Sequence, residues 1–414
     1  MRRTRWLALG LCLLLGLAGC AAPHTQIPLQ TPMPTLSPTP EPTPTPTPAQ
    51  QLGNDTLAQA PSYSTYALPL DLRSGESFST ALYKLVMDAA AAGETEVSLE
   101  GVNATAAQVD NVRAFVLARG QSAFLSDISL EENALALVYT SEDTTEIQQA
   151  AQDFDKAAQS ILEECYQTGY TQLQCAMALY QYLGQHVEYS YESMDDGLYG
   201  AIVDKKAMAN GYANAYAFLL DQFGIENALV SAPDKSHVWN LITIDGVSYH
   251  VDVTFGANLL KGQSLKFFGM NDAAAATALG YTGWTVSNGV ADLETPLCSS
   301  TRFEALQKAG RSDMDYAGNA IYMDAYEEAP GVSKLDLLTG EVSVVFSEQT
   351  DGIAVLDGLL YYLRNEDGYL YTLNLTTNET VQLFEGTKVT ALERRGNVIY
   401  YSAEGQSEMG QISP

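Results

Sequence analysis

The segment Gly318-Asn319-Ala320-Ile321-Tyr322 recurs as Gly358-Leu359-Leu360-Tyr361-Tyr362 and again as Gly396-Asn397-Val398-Ile399-Tyr400, at intervals of 40 and 38 residues. Between these copies, Leu335, Leu337, Glu341 and Phe346 recur as Leu373, Leu375, Glu379 and Phe384, each 38 positions on. A period of this length marks one supersecondary unit copied in tandem, each unit too small to bury its apolar face alone. Short apolar runs broken by turns such as Thr339-Gly340 and Thr377-Asn378 make the unit a set of strands. Residues 315–414 are therefore predicted to be an all-β repeat region.

The period resembles that of propeller blades of four strands each, but only about two and a half units are present, fewer than the roughly four blades of a closed ring. A propeller-like array of this size is expected to form an open or packed sheet structure. Its edges need cover, from the preceding part of the chain or from another molecule, and packing within the chain is the simpler source.

Upstream, Asp245-Gly246 between two alternating runs is a strong hairpin signal. A two-residue loop pairs Ile244 with Val247, and the register runs back to Trp239 opposite Asp252 and His237 opposite Thr254. One face then carries Val238, Ile242, Ile244, Val247, Tyr249, Val251 and Val253, with Asn240 its only strongly polar member, and is a core face. The other carries His237, Trp239, Thr243, Ser248, His250, Asp252 and Thr254, too polar to bury without partners. His237 and Asp252 fall on a diagonal, about 7 Å apart at Cβ, within reach of an imidazole–carboxylate bond. That pair is either a site or a structural contact. A metal centre made of His237, His250 and Asp252 fails on register: His250 falls opposite Leu241, about 13 Å along the strand from His237.

A helix should begin near Ala209 and end at Gly224, since Tyr212, Tyr216, Leu219, Leu220 and Phe223 share one face and glycine suits the position after a helix. Position 209 thus lies at a helix N-terminus, where backbone N–H groups and the dipole lower a thiol pKa and stabilise an oxyanion. This helix is expected to pack on the polar face of the hairpin.

The blocks Tyr199-Gly200-Ala201, Lys206-Ala207-Met208-Ala209-Asn210-Gly211-Tyr212-Ala213, Ser236-His237-Val238-Trp239-Asn240 and Tyr249-His250-Val251-Asp252-Val253-Thr254 resemble the bacterial transglutaminase-like superfamily. That superfamily is related to papain-type cysteine proteases, and the resemblance covers roughly residues 145–290. The family reads Cys-x-Gly-Tyr-Ala where this chain reads Ala209-Asn210-Gly211-Tyr212-Ala213. Position by position, the resemblance implies a papain-like core in which His237 is the general base, Asp252 orients it, and Ala209 stands on the nucleophile position. A methyl group cannot attack a carbonyl. The resemblance therefore implies a pseudoenzyme that keeps a cleft for a protein or peptide ligand, without cofactor or metal. The alternative is an active cysteine peptidase or transglutaminase, acting through a thioester, whose nucleophile is replaced here by Ala209. Neither Ser236 nor Asn210 substitutes for it, and Leu265-Lys266-Phe267-Phe268 through Trp284 matches the family's closing segment without adding chemistry.

At the other end, Arg2, Arg3 and Arg5 precede an apolar run from Trp6 to Leu17, too short to span a membrane and suited to a secretory signal. Leu17-Ala18-Gly19-Cys20 looks like a bacterial lipobox, which implies cleavage after residue 19 and acylation of Cys20. Ten of the sixteen prolines lie between Pro23 and Pro48. A tract of that composition stays extended, and its 21 residues from Pro28 would reach roughly 65 Å as a stalk. Net charge is −29, and loss of the three signal arginines takes it to −29 − 3 = −32, which argues against nucleic acid as a partner. Of the five cysteines, Cys165, Cys175 and Cys298 remain once Cys12 and Cys20 are assigned, an odd number that makes no disulfide framework.

The expected organisation is α+β: a signal peptide at 1–19, a Pro/Thr stalk at 20–62, an α+β lead-in at 63–143, a transglutaminase-like region at 144–300, and β repeats at 315–414. Strands are expected at 96–99 and 134–139, and a helix over 106–119, with helical character from Thr144 to about Val187. The expected location is the outer face of a bacterial cell membrane, with the bilayer, through Cys20, and cell-envelope components as partners.

Overall fold

The computed structural model describes residues 61–73, 76–191, 197–258, 264–309, 313–328 and 330–413. The expected signal peptide, Cys20 and all but the last two residues of the expected stalk lie outside the described residues. The chain is of mixed α and β structure with several antiparallel sheets, and its C-terminal hundred residues are almost wholly β.

The first elements are α1 (Leu70–Arg73), α2 (Thr80–Ala92), β1 (Glu96–Ser98), α3 (Ala106–Arg119), β2 (Leu125–Glu131) and β3 (Ala134–Tyr139). Ser79 caps α2, and a Thr105–Gln108 capping box starts α3. Gly93 and Gly120 close the two helices in the left-handed region that glycine tolerates. The strands form an antiparallel sheet in the order β1-β3-β2, and Leu82, Val86, Val112, Phe115, Ile128 and Leu135 fill the core beneath it.

Two longer helices follow, α4 (Thr144–Cys165), capped by Asp143, and α5 (Gln172–His186), started by a Thr171–Gln174 box. A short parallel pair joins β4 (Glu188–Tyr189) to β5 (Lys206–Ala207), and α6 (Ala209–Gln222) begins two residues later. Beyond it lie β6 (Glu226–Ser231), β7 (Val238–Ile244), β8 (Val247–Val251), α7 (Val253–Ala257), α8 (Asp272–Leu279), β9 (Thr285–Ser287), β10 (Asp292–Leu293) and α9 (Glu304–Lys308). The strands make one antiparallel sheet in the order β10-β9-β6-β7-β8, with Ile244 opposite Val247 across the Asp245-Gly246 turn.

Two expectations change here. The ladder ends at Asn240–Val251, so Asp252 and Thr254 are not strand residues: Asp252 caps α7, which begins at once. And α6 packs on the apolar face of the hairpin instead of the polar one. Tyr212, Tyr216 and Leu219 share a core with Ile242, Tyr249 and Val251, and the Asn240 amide donates to the Ala213 carbonyl at 3.0 Å. The reason is mutual burial, since an apolar helix stripe gains most against the face without charge. The opposite face is closed separately. Trp239 and Leu241 pack there with Val230, Val286, Met270, Leu279 and Cys298, under α8 and the chain that follows the sheet.

The C-terminal region forms three antiparallel sheets. The first comprises β11 (Met314–Ala317), β12 (Ala320–Met323), β13 (Val332–Asp336) and β14 (Val342–Phe346). The second comprises β15 (Thr350–Leu356), β16 (Leu359–Arg364), β17 (Leu370–Asn374) and β18 (Thr380–Gln382). The third comprises β19 (Val389–Arg395), β20 (Val398–Ala403) and β21 (Gly410–Ile412). One buried carboxylate ties them together. Asp315 on β11 accepts from the Val355 N–H of the second sheet at 2.7 Å and from Arg394 Nε of the third at 2.7 Å. Arg394 also donates to Tyr170, just before α5, at 3.3 Å. The side chains of Gln174 and Gln181 on α5 donate to the carbonyls of Gly318 and Met314, both at 2.9 Å, and Met314, Tyr316, Ile321 and Met323 join the core of α4 and α5. Cover for the first sheet thus comes from within the chain.

Candidate functional site

The hairpin and α7 together build an imidazole–carboxylate pair. His237 lies just before β7 and Asp252 just after β8, so the turn at Asp245-Gly246 sets them side by side, with Nε2 of His237 2.6 Å from Oδ2 of Asp252. The other oxygen, Oδ1, accepts the Phe255 N–H at 2.9 Å and so caps α7. Asp252 also donates its own N–H to the Phe267 carbonyl at 2.9 Å. Held at three points and fully buried, this carboxylate has one orientation to offer, and it takes Nε2, which turns Nδ1 of His237 away from it.

Three aromatic rings fix the imidazole plane. Trp239 and Tyr281 lie nearly parallel to it at 5.7 and 6.0 Å between centroids, and Phe255 meets it edge-on at 5.1 Å. His237 is 7% exposed and Asp252 fully buried, while Tyr281 and Phe255 beside the imidazole are only partly buried.

Position 209 lies at the same end of this layer. The last turn of α6 leads through Gly224 and Ile225 into β6, whose Glu226 pairs with Thr243, while Ala213 accepts from Asn240. The helix therefore runs along β7 from the Val238 end towards Thr243, and Ala209, one turn before Ala213, lies towards His237. α7 packs against both α5 and α6 at this end. Ala209 is half-buried, and Met208 before it makes no side-chain cap. A separate cavity of about 70 Å³ lies between α3, α6 and β6, lined by Arg119, Asn210, Asn214, Ala217, Asn227 and Asn288, and neither His237 nor Asp252 lines it.

Cys165, Cys175 and Cys298 are all buried and unpaired in disulfides. Burial pushes the thiols of Cys175 and Cys298 up to about 12, and that of Cys165 well above its ordinary value.

Sequence reasoning missed a second cluster behind the first. His250, Asp272 and Cys298 bring one ligand-type atom each within 4.8 Å of one another. The hydrogen-bond pattern opposes a metal there. Trp239 Nε1 can only donate, and it lies 3.0 Å from Nδ1 of His250, so the ring proton sits on Nε2 and is donated to Asp272 Oδ1 at 3.0 Å. A protonated nitrogen cannot ligate, and a metal-bound histidine normally donates through its second nitrogen. The same pattern leaves His250 no lone pair with which to deprotonate Cys298. Burial lowers the His250 pKa despite Asp272, which keeps the ring neutral. No sequence signal pairs residues 250 and 272, because Asp272 opens a helix of nearly all alanine.

No family model matches the chain, and no curated protein matches it. Among solved structures, a transglutaminase (TGase) is 18% identical with a TM-score of 0.23, over 35% of this chain and 47% of its own. A proposed cysteine protease from Cytophaga hutchinsonii is 13% identical with a TM-score of 0.22, over 35% of this chain and 53% of its own. The N-terminal domain of Nup159 is 14% identical with a TM-score of 0.20, over 44% of this chain and 43% of its own. The chain spans about half the length of each. Likenesses this slight decide nothing about chemistry.

Proposed function

We propose that this chain is a cell-envelope lipoprotein whose middle region keeps a transglutaminase-like scaffold without thioester chemistry, and uses its cleft to bind a protein or peptide. The observation that carries this reading is the 2.6 Å His237–Asp252 bond, assembled at the end of the sheet towards which α6 presents Ala209.

In a working version of such a site, a thiolate attacks an amide carbonyl carbon and a thioester forms. The amine leaves with a proton from the imidazolium, and a second amine or water then releases the acyl group and restores the thiol. Position 209 here offers no electron pair, and the remaining described thiols are held protonated by burial. The His237–Asp252 pair among its three aromatic rings, and the separate small cavity along Asn210, Asn214 and Ala217, remain available for binding. Anchoring is assigned to Cys20 from Leu17-Ala18-Gly19-Cys20, with the proline tract as spacer and the outer face of the membrane as location. The β repeats, propeller-like in period, serve as a binding or spacing module.

Amine incorporation and peptide hydrolysis by the chain as written, beside Ala209→Cys, test the proposal. Thioester-dependent turnover by the unaltered chain refutes it, and turnover gained only by the variant and well below about 1 per second supports it. The intact His237–Asp252 bond also fits a chain whose active form carries cysteine at 209. Turnover by Ala209→Cys in the range of ordinary enzymes, about 1 to 10³ per second, would favour that second reading.

A further inference from the structure

His250 is fully buried, and nothing in the chemistry above uses it. Its two ring nitrogens are nonetheless both committed, Nδ1 to the Trp239 indole and Nε2 to the Asp272 carboxylate, each at 3.0 Å. Trp239 is 1% exposed and its ring lies against His237 at 5.7 Å with an interplanar angle of 21°. Asp272 is itself fixed: its N–H donates to the Cys298 carbonyl at 2.8 Å, and its Oδ2 accepts the Cys298 N–H at 3.3 Å. This carboxylate, with its side chain 34% exposed, brings the chain of contacts to solvent, while the partly buried Tyr281 and Trp284 pack on the same indole.

We propose that Asp272, His250 and Trp239 form a positioning relay that sets the plane of the His237 ring, and with it the direction of Nε2 towards Asp252. This rests on the reading of His237 and Asp252 as the working remnant of the site. A tryptophan stacked on an imidazole by its face alone is free to slide; one whose N–H is pinned is not. The pin is strong because its acceptor, the neutral imidazole, has its tautomer fixed by the carboxylate beyond it, as outer partners orient ligating or catalytic histidines elsewhere. None of the three touches a reacting atom, so they are positioning residues.

The experiment reads His237 directly, in the unmodified site, by long-range ¹H–¹⁵N NMR of the full chain across pH 5 to 9. His250→Phe removes the acceptor for the indole. His250→Gln restores one, since its side-chain oxygen accepts the Trp239 N–H. The expected result is a displacement of both His237 ring-nitrogen signals in His250→Phe and near-native signals in His250→Gln. Asp272→Ala should fall between them. A His237 signal unmoved in His250→Phe, or moved equally in His250→Gln, overturns the relay. If His250→Phe does not fold, the Asp272→Ala and His250→Gln pair decides the same question, because the former must move the signal and the latter must not. Thiol reactivity of Ala209→Cys is a separate readout. An unreactive cysteine with a relay-sensitive His237 would refute the proposed function and leave the relay standing.

Discussion

Replacing Arg119 by methionine should unfold the junction between α3 and the site helix more severely than any surface change. The guanidinium is 4% exposed and donates to Asp221 Oδ2 at 2.7 Å and to the Ala67 carbonyl at 2.9 Å, between the rings of Phe115 and Phe218. Asp221 is 3% exposed, on the last turn of α6, and keeps one other side-chain partner, the Asn227 amide at 2.8 Å. Methionine fills the volume but strands the carboxylate, and breaking a buried pair this way costs about 3–5 kcal/mol. Against a total stability of about 5–15 kcal/mol, that is a large share. The pH dependence identifies the cause. Burial already pushes the Asp221 carboxyl up, and Arg119 is the largest influence holding it down. Without Arg119 it rises further, so the folded variant holds a proton that the unfolded chain releases above about pH 4. Stability of the variant then falls as pH rises through that window, and its deficit narrows towards acid. Urea unfolding at pH 5 and pH 8 measures both, and Asp221→Asn added to Arg119→Met should recover most of the loss. A deficit below about 1 kcal/mol at pH 8, the range of an exposed pair, or one equal at the two pH values, would refute the reasoning.

Burial and the neighbouring Asp324 carboxylate push the Asp313 carboxyl from 3.8 to about 7, with Asp315, itself neutralised by Arg394, a smaller influence. The native state therefore binds a proton that the unfolded chain lacks across that interval, so the melting temperature should fall between pH 5 and pH 8, and Asp313→Asn should flatten the fall. At about 1.4 kcal/mol per pH unit the whole effect is bounded near 4 kcal/mol. Native protein at pH 8 should leave Cys165, Cys175 and Cys298 unmodified by a thiol reagent while urea exposes all three, as mass mapping of the labelled residues would show. Gly256→Ala would place its Cβ 2.1 Å from the Tyr180 hydroxyl, so α7 or the ring must move, at about 1–3 kcal/mol. Because Asp252 caps α7, the same variant should disturb the His237 NMR signal as well as the melting temperature.

The hairpin was legible because Asp245-Gly246 and strict alternation leave one register, and the site helix because its aromatic stripe ends at a glycine. The β repeats were legible from their period alone. What alternation could not say is that both faces of the sheet would be covered near Trp239: the cover on the second face is the alanine-rich α8, which carries almost no amphipathic pattern. Nor could it show that Asp252 leaves the strand, since a residue suited to a polar strand face is equally suited to capping a helix. Contacts such as Arg394–Asp315 and His250–Asp272 join distant parts of the chain through single side chains, and no local pattern announces them.

The most direct measurement is the alkylation rate of Ala209→Cys as a function of pH, with and without His237. A cysteine at the start of α6, served by the imidazole that Asp252 holds, should react as a thiolate with a midpoint at least about one unit below the ordinary value near 8.5, and His237→Ala should raise it towards that value, leaving only the effect of the helix N-terminus. A midpoint at or above about 8.5 that ignores His237 would show that position 209 and the imidazole do not form one site.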